Sequence, residues 1–368
     1  TLNNNNDYSV SVINNCGSET MDILKECIGE FNGKKVESYI LRNSKGFGIN
    51  ALNYGAIVTD VVVPDKNGVI ENVVMKYKDI NVYKENPSYY GAAIGRTSGR
   101  IADGKVTLNG KVLNFNKNYG VNQGHGGNIG FSKKFLDAIT NCTEKEAYVE
   151  FSYLSPNGEE GYPGNLEVKV RYTINEENEF KISYYAKSDE DTLVNMTNHS
   201  YFNLSGNCKS DILSQYLYID SDFLVELNEN QVPTGEFIEI DGTPFDFSNP
   251  KIIGRDIEEE DYQLKIGQGY DHCWILNKDK DIKIRLYDKV SGRLMDVYTD
   301  QNSVVLYSLN FPDEEVLDCG KKPNRRDALA IETQSPPIGS DNIFAKYSIL
   351  KKGEEYKKET RKLLPIKK

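Results

Sequence analysis

A repeat of two in the hydrophobic pattern is the strongest constraint on what this chain can fold into. Leu166, Val168, Val170, Tyr172 and Ile174 alternate with Glu167, Lys169, Arg171 and Thr173. Successive side chains of an extended strand point to opposite faces, so this stretch predicts a strand with one buried face. After the polar turn Asn175-Glu176-Glu177-Asn178, the residues Phe180, Ile182, Tyr184 and Ala186 alternate again, which predicts an antiparallel hairpin. The same pattern recurs at Val36 to Leu41, Tyr148 to Leu154 and Ile282 to Leu286. Between Leu108 and Lys111 the dipeptide Asn109-Gly110 supplies two residues that accept positive φ, the requirement of a tight hairpin turn. Helical signals are sparse. A stretch from Ser18 to Gly29, with a serine cap and a partial apolar stripe, is the one helix candidate. The expected fold class is all-β: a large antiparallel β-sandwich with few short helices. No break in composition marks a second domain, so residues 1–28 are expected as a loose, Asn-rich tail ahead of one sandwich domain over 29–368.

Charge narrows the partners. With 44 Lys and Arg against 55 Asp and Glu, the formal charge of −11 leaves no basic footprint for nucleic acid or an anionic membrane. No run of 18 apolar residues occurs, and the opening TLNNNNDYSV lacks the basic and apolar regions of a signal peptide, although a start at Thr1 is compatible with a trimmed leader. These features predict a soluble, cytoplasmic chain, a monomer or weak dimer, acting on a small neutral molecule. The six cysteines form no CxxC pair and no compact spacing, so reduced thiols are expected. Asn195, Asn198 and Asn203 match glycosylation sequons, but crowd into nine residues and are read, with Asn141, as chance matches.

Three histidines occur, and each lies in a polar motif: His125 in NQGHGG, His199 in NMTNHSYFNL and His272 in GYDHCW. Imidazole titrates near neutral pH, so scarce histidines in such surroundings are the first candidates for proton transfer. The small neighbours of His125 favour exposure in a loop. The amide-rich segment around His199 fits either a hydrogen-bonded core or a wet cleft. Asp271 and His272 are adjacent and point to opposite faces of a regular strand, so only one enters a pocket; Trp274 more often fills a core. Glu332, in ALAIETQSPP, ends an apolar run, where partial desolvation raises a carboxyl toward the range of a general base. Arg100, in GRTSGRI, suits either polyol recognition or a structural ion pair. The histidines show no HxH or HExxH spacing, and neither GxxxxGK[ST] nor GxSxG occurs, so metal, phosphate-loop and serine-hydrolase readings have no support.

The strings NYGAIVTDVVVPDKNG, GRTSGRIADG, GHGG, NGEEGYPGN, NHSYFNLSG, VPTGE with GTPFDF, YDHCW and ETQ occur together in this order, and from about Lys34 to Leu363 the chain resembles the aldose 1-epimerases, the galactose mutarotases. That resemblance implies a β-sandwich with an open sugar cleft and interconversion of the α and β anomers of free aldohexoses such as D-galactose and D-glucose. It implies no cofactor and no metal. By the same resemblance Glu332 is the base that removes the anomeric hydroxyl proton, and His199 the acid that protonates the ring oxygen. His125, Arg100 and Asp271 are sugar-binding, and Asp271 takes the pocket in preference to His272. Ring opening needs one proton delivered and another removed, so an acid and a base on opposite sides of the hemiacetal suffice, with their roles reversed on closure. Three departures from the pattern stand out: Gly99 where many members carry Asn, Val305 where some carry a sugar-contacting Gln, and SPPIGSDN after ETQ. Two other classes compete: a glycoside hydrolase using Asp271 and Glu332 as paired carboxylates, and a sugar-binding module without turnover.

Overall fold

The computed structural model describes residues 10–15 and 21–366. It contains the hairpin that the alternation predicts. The Leu166–Asn175 and Glu179–Ser188 strands pair from Leu166↔Ser188 to Ile174↔Phe180 without a shift. Val168, Val170, Tyr172 and Ile174 are buried, while Glu167 stays exposed. Asn175 closes the turn, its Oδ1 accepting from the backbone N–H of Glu177 and of Glu179. Full burial of a Val, Leu or Ile side chain contributes roughly 1.5–3 kcal/mol, so one face of this hairpin anchors the fold.

Around the hairpin a nine-stranded antiparallel sheet runs from Asp137–Cys142 through Glu146–Ser155, the hairpin and the C-terminal Glu355–Leu363 strand to Leu294–Thr299, Ile284–Tyr287, Tyr216–Ile219 and Lys251–Ile252. A six-stranded sheet faces it: Tyr201–Phe202, Leu329–Gln334, Ser303–Tyr307, Asp271–Leu276, Ser221–Leu227 and Pro233–Glu239. One hydrophobic cluster, reaching from Met21 to Leu364, takes Tyr172 and Ile182 from the first sheet and Trp274, Leu306 and Ile331 from the second. Among the described residues, helix is confined to short turns and Tyr262–Gly267, capped by Asp261. The Asn109-Gly110 hairpin forms with φ of 53° and 76°.

Three expectations fail in the N-terminal third and at the cysteines. Asp22–Phe31 is a strand, not part of a helix, and pairs along its length with Lys34–Arg42; Ser18 to Thr20 lie outside the described residues. Val10–Asn15 pairs with it in turn, so the stretch given to a loose tail contributes two strands to a further six-stranded sheet. The signal was present: Asn32-Gly33, with φ of 51° and 80°, makes the same kind of turn as Asn109-Gly110, and pairing overrides a marginal helix stripe. Cys142 is disulfide-bonded, against the expectation of reduced thiols, whereas Cys27, Cys208, Cys273 and Cys319 are free. The strand expected from Ile282 begins at Ile284. No helix among the described residues is long and apolar enough to cross a membrane.

Candidate active site

The Leu329–Gln334 strand is buried at every residue, and the period of two decides what each face does. Leu329 and Ile331 point into the hydrophobic core. Glu332 and Gln334 point the other way and line a cleft of about 280 Å³, close to the lower end of small-ligand pockets, roughly 300 Å³. The register continues the floor sideways, since Glu332 lies opposite Val305 and Val305 opposite Cys273, all three lining the cleft.

His199 reaches this floor from the segment between the Thr197–Asn198 and Tyr201–Phe202 strands. Its amide neighbours form a network. Asn195 Nδ2 donates to the Ser335 carbonyl, and its Oδ1 accepts from the Ser335 N–H. Thr197 Oγ1 donates to the Thr333 carbonyl at 2.8 Å, and Asn198 Nδ2 to that of Gly91 at 3.0 Å. These bonds tie the histidine segment to the glutamate strand, so the amides serve the network while His199 faces the cleft. Asn195, Asn198 and Asn203 are all buried, which leaves no room for glycans there.

His125 sits at φ 47° with Gly126 and Gly127 following at 85° and 106°. A Cβ on Gly126 would stand 1.9 Å from the Gly95 carbonyl oxygen, so only glycine permits this turn. The Gly99 N–H donates to His125 Nδ1 at 3.3 Å, which leaves Nε2 as the protonated nitrogen. The His125 and His199 rings stand 5.3 Å apart and perpendicular. Arg100 lies over the Tyr119 ring at 5.3 Å, and Asp271 enters from the first position of its strand.

The cleft thus brings together all five residues singled out by sequence: Glu332, His199, His125, Arg100 and Asp271. His272 departs from the simple alternation rule. Its ring packs at 4.7 Å on Phe245, and Nε2 meets Gln263 Oε1 at 3.2 Å, yet it still contributes to the cleft wall. At the end of a strand, neighbours on both faces reach the same opening. Trp274 fills the core against Phe245, Phe247 and Tyr270. The sequence reading missed three aromatic walls. Tyr89 stacks on His199 at 5.8 Å and meets His125 edge-on at 4.9 Å. Tyr119 supports Arg100, and the Tyr201 ring lies 5.0 Å from His199. Only Tyr201 stood in a recognised motif; the other two occupy loops, where no periodicity flags them.

Two of the three departures from the family pattern prove to be one. Gly99 has φ 80°, and a Cβ there would meet Pro337 Cβ and Cγ at 2.6 Å. The proline of SPPIGSDN occupies the space that a side chain at position 99 would fill.

His199 Nε2 stands 3.4 Å from Glu332 Oε1. Burial pushes the His199 imidazole down to about 4. Burial, reinforced by the charge of Asp271, pushes the Glu332 carboxyl well above the usual carboxylate range, with Arg100 and Lys362 pulling the other way. The two shifts share one cause, since burial favours the neutral imidazole and the neutral carboxyl over their charged forms. Burial also lowers His125, with help from His199 and Arg100, and raises Asp271 against the pull of Arg100. His199 Nδ1 and Glu332 Oε1 are buried with no hydrogen-bond partner in the protein, and such an atom costs about 1–3 kcal/mol. A polar ligand in the cleft relieves that cost.

Among the described residues, His125, His199 and Glu332 form the one group with metal-ligand spacing, their donor atoms within 4.8 Å of one another. A metal-bound imidazole ordinarily donates its second nitrogen to a supporting acceptor. His199 Nδ1 has no such acceptor, so the group fits proton transfer better than a resident ion.

A two-layer antiparallel sandwich with a buried carboxyl–imidazole pair in an aromatic-walled polar cleft is the architecture of a carbohydrate-acting isomerase. The aldose 1-epimerase family model matches residues 37–362, and the chain belongs to that family. It is similar to the galactose mutarotase of Rattus norvegicus, at 33% identity over 92% of this chain and 98% of that protein. It is also similar to the maltose epimerase of Levilactobacillus brevis, at 32% identity over 86% of this chain and 91% of that protein. Among solved structures, a galactose 1-epimerase from Lactobacillus acidophilus NCFM superposes with a TM-score of 0.84 at 27% identity, covering 94% of this chain and 99% of that one.

Proposed function

We propose that this enzyme interconverts the α and β anomers of free aldohexoses, D-galactose and D-glucose in the first place, with Glu332 and His199 exchanging protons with the hemiacetal. The observation that carries this reading is the approach of His199 Nε2 to Glu332 Oε1, 3.4 Å apart, at the floor of the cleft. Ring opening removes the proton of the anomeric hydroxyl and adds one to the ring oxygen. Both oxygens are bonded to one carbon, so acid and base stand side by side and not on opposite faces of the hemiacetal. Glu332 takes the hydroxyl proton and His199 supplies the ring oxygen in one protonation state of the pair. In the other state, which ring opening leaves behind, Glu332 is the acid and His199 the base, so the roles are exchanged on closure. The two states carry the same total charge, and the reaction traverses both as the ring opens, C1 rotates about its bond to C2 and the ring recloses. His125, through its protonated Nε2, together with Arg100 and Asp271, holds the sugar hydroxyls. Arg100 donates and Asp271 accepts, the pairing that vicinal hydroxyls need. No step uses an electron, a phosphate or a metal.

Polarimetry of freshly dissolved α-D-glucose and α-D-galactose tests the reading. Acceleration over buffer, lost in Glu332→Gln, supports it. Full activity in Glu332→Gln, or no acceleration by the wild-type protein, would sink it.

A further inference from the structure

Lys362 is 1% exposed, although an ammonium group is among the costliest groups to bury. It lies on the C-terminal Glu355–Leu363 strand, opposite Phe180 on one side and Val297 on the other. Two contacts fix where its side chain goes. Thr360, two residues earlier and hence on the same face, meets Thr333 Oγ1 at 2.7 Å across the sandwich. Lys362 Nζ itself stands 4.6 Å from the centre of the Phe202 ring, and Phe202 pairs with Leu329. The ammonium is therefore bracketed beneath the Leu329–Gln334 strand, between its two ends, on the face opposite the cleft. Glu332 projects from the other face of that strand. Both side chains are buried, so the interaction is screened far less than one at the surface.

We propose that Lys362 is a positioning residue that biases the charge on Glu332 from behind the sheet, and so shifts the pH dependence of proton exchange at the cleft. The proposal rests on the proton-exchange reading above. Other groups also act on Glu332. His199, Arg100 and Asp271 face it across the cleft, Tyr201 lies on the adjacent strand, Cys273 two strands over, and Tyr184 in the facing sheet. The three cleft groups meet any bound sugar directly. Tyr201 and Tyr184 are held far above their ordinary values by burial, and the Cys273 thiol is pushed up to about 12, so all three stay neutral in the working range. Lys362 is the cation that acts without touching the substrate. Burial pulls its ammonium down to about 7, with Glu332 pulling the other way, so its own charge is adjustable near neutrality.

The sign follows. A cation behind Glu332 favours the carboxylate, and the last proton leaves the pair at lower pH than it would without that cation. Lys362→Met, uncharged at every pH, raises the alkaline limb of the kcat/KM profile only slightly, because the wild-type ammonium itself loses its charge above about 7. Lys362→Arg, whose guanidinium stays charged, lowers it below wild type. The test is the pH profile of mutarotation for wild type and both variants, with thermal melts alongside. Limbs ordered Arg, wild type, Met support the proposal, and coincident limbs overturn it. Because a buried ammonium with no hydrogen-bonded carboxylate partner carries a large desolvation cost, Lys362→Met melts at or above the wild-type temperature, which separates a change in charge from a folding defect. Carboxyl-carbon NMR of glutamate-labelled protein, with Glu332→Gln to assign the resonance, reads the same ordering without turnover. If wild type fails to mutarotate, the function falls, while the NMR titration still decides the role of Lys362. If either variant fails to fold, the remaining one is compared with wild type by the same two measurements.

Discussion

The Leu166–Asn175 and Leu329–Gln334 strands both alternate, but they use the second face differently. In the first, Val168, Val170, Tyr172 and Ile174 enter the core while Glu167 and its neighbours meet water. In the second, Leu329 and Ile331 enter the same core, yet Glu332 and Gln334 are also buried, beneath a cleft. A hydrated charge costs nothing, whereas a buried carboxyl is forced toward its neutral form. The first strand is therefore built for stability. The second accepts an orphaned carboxyl oxygen and holds a group whose protonation state is poised to change, the mark of a functional site.

The sharpest way to break that contrast is Glu332→Gln. It keeps the shape but not the proton exchange, so kcat falls by about 10³ or more on the scale of lost general acid–base catalysis, while the melting temperature holds or rises because a poorly satisfied buried carboxyl is gone. A strand that mattered only for packing would show the reverse. His199→Asn is expected to cost about 10²–10³ in kcat, again with little loss of stability. Its wild-type counterpart has a signature in pH. His199 is neutral above about 4, so as pH falls below that value the pair takes up a second proton, no acceptor remains, and the rate drops about tenfold per unit. A profile that declines well above pH 4 on its acid side would assign the proton acceptor elsewhere.

Ile182→Ala, in the structural hairpin, probes the other side of the contrast. The side chain is 1% exposed, and its loss destabilises by about 2–5 kcal/mol, read by urea denaturation, with kcat per folded molecule unchanged. Gly99→Ala falls between the two regions: its methyl would collide with Pro337, displacing one wall of the cleft. KM is expected to rise several-fold at nearly constant kcat, and Gly99→Ala combined with Pro337→Ala to recover most of it. Smallest of all is Lys169→Ala on the wet face of the hairpin, whose ion pair with Glu167 is exposed at both ends. Exposed pairs contribute about 0–1 kcal/mol, so melting temperature and kcat both stay close to wild type.

Much of the contrast was legible before any coordinates. Alternation located the hairpin, and Asn109-Gly110 its smaller companion, because both are local properties of the chain. Asn32-Gly33 carries the same turn chemistry beside Asp22–Phe31, where a partial apolar stripe suggested a helix that pairing with Lys34–Arg42 overrules. The candidate site was legible through ordered motifs, and the five residues they nominate converge on one cleft. Tyr89 and Tyr119 were not, since a loop aromatic becomes a wall only when remote segments meet.

The sequence by itself determined the strands, their buried faces and the residue types able to move a proton, because periodicity, turn chemistry and side-chain pKa are written residue by residue. Tertiary structure alone decided that Glu332 and His199 stand 3.4 Å apart, that Pro337 fills the space above Gly99, and that Lys362 is buried behind the Leu329–Gln334 strand. Each of these depends on distance and dielectric between residues far apart in the chain, and neither quantity exists until the sheets pack.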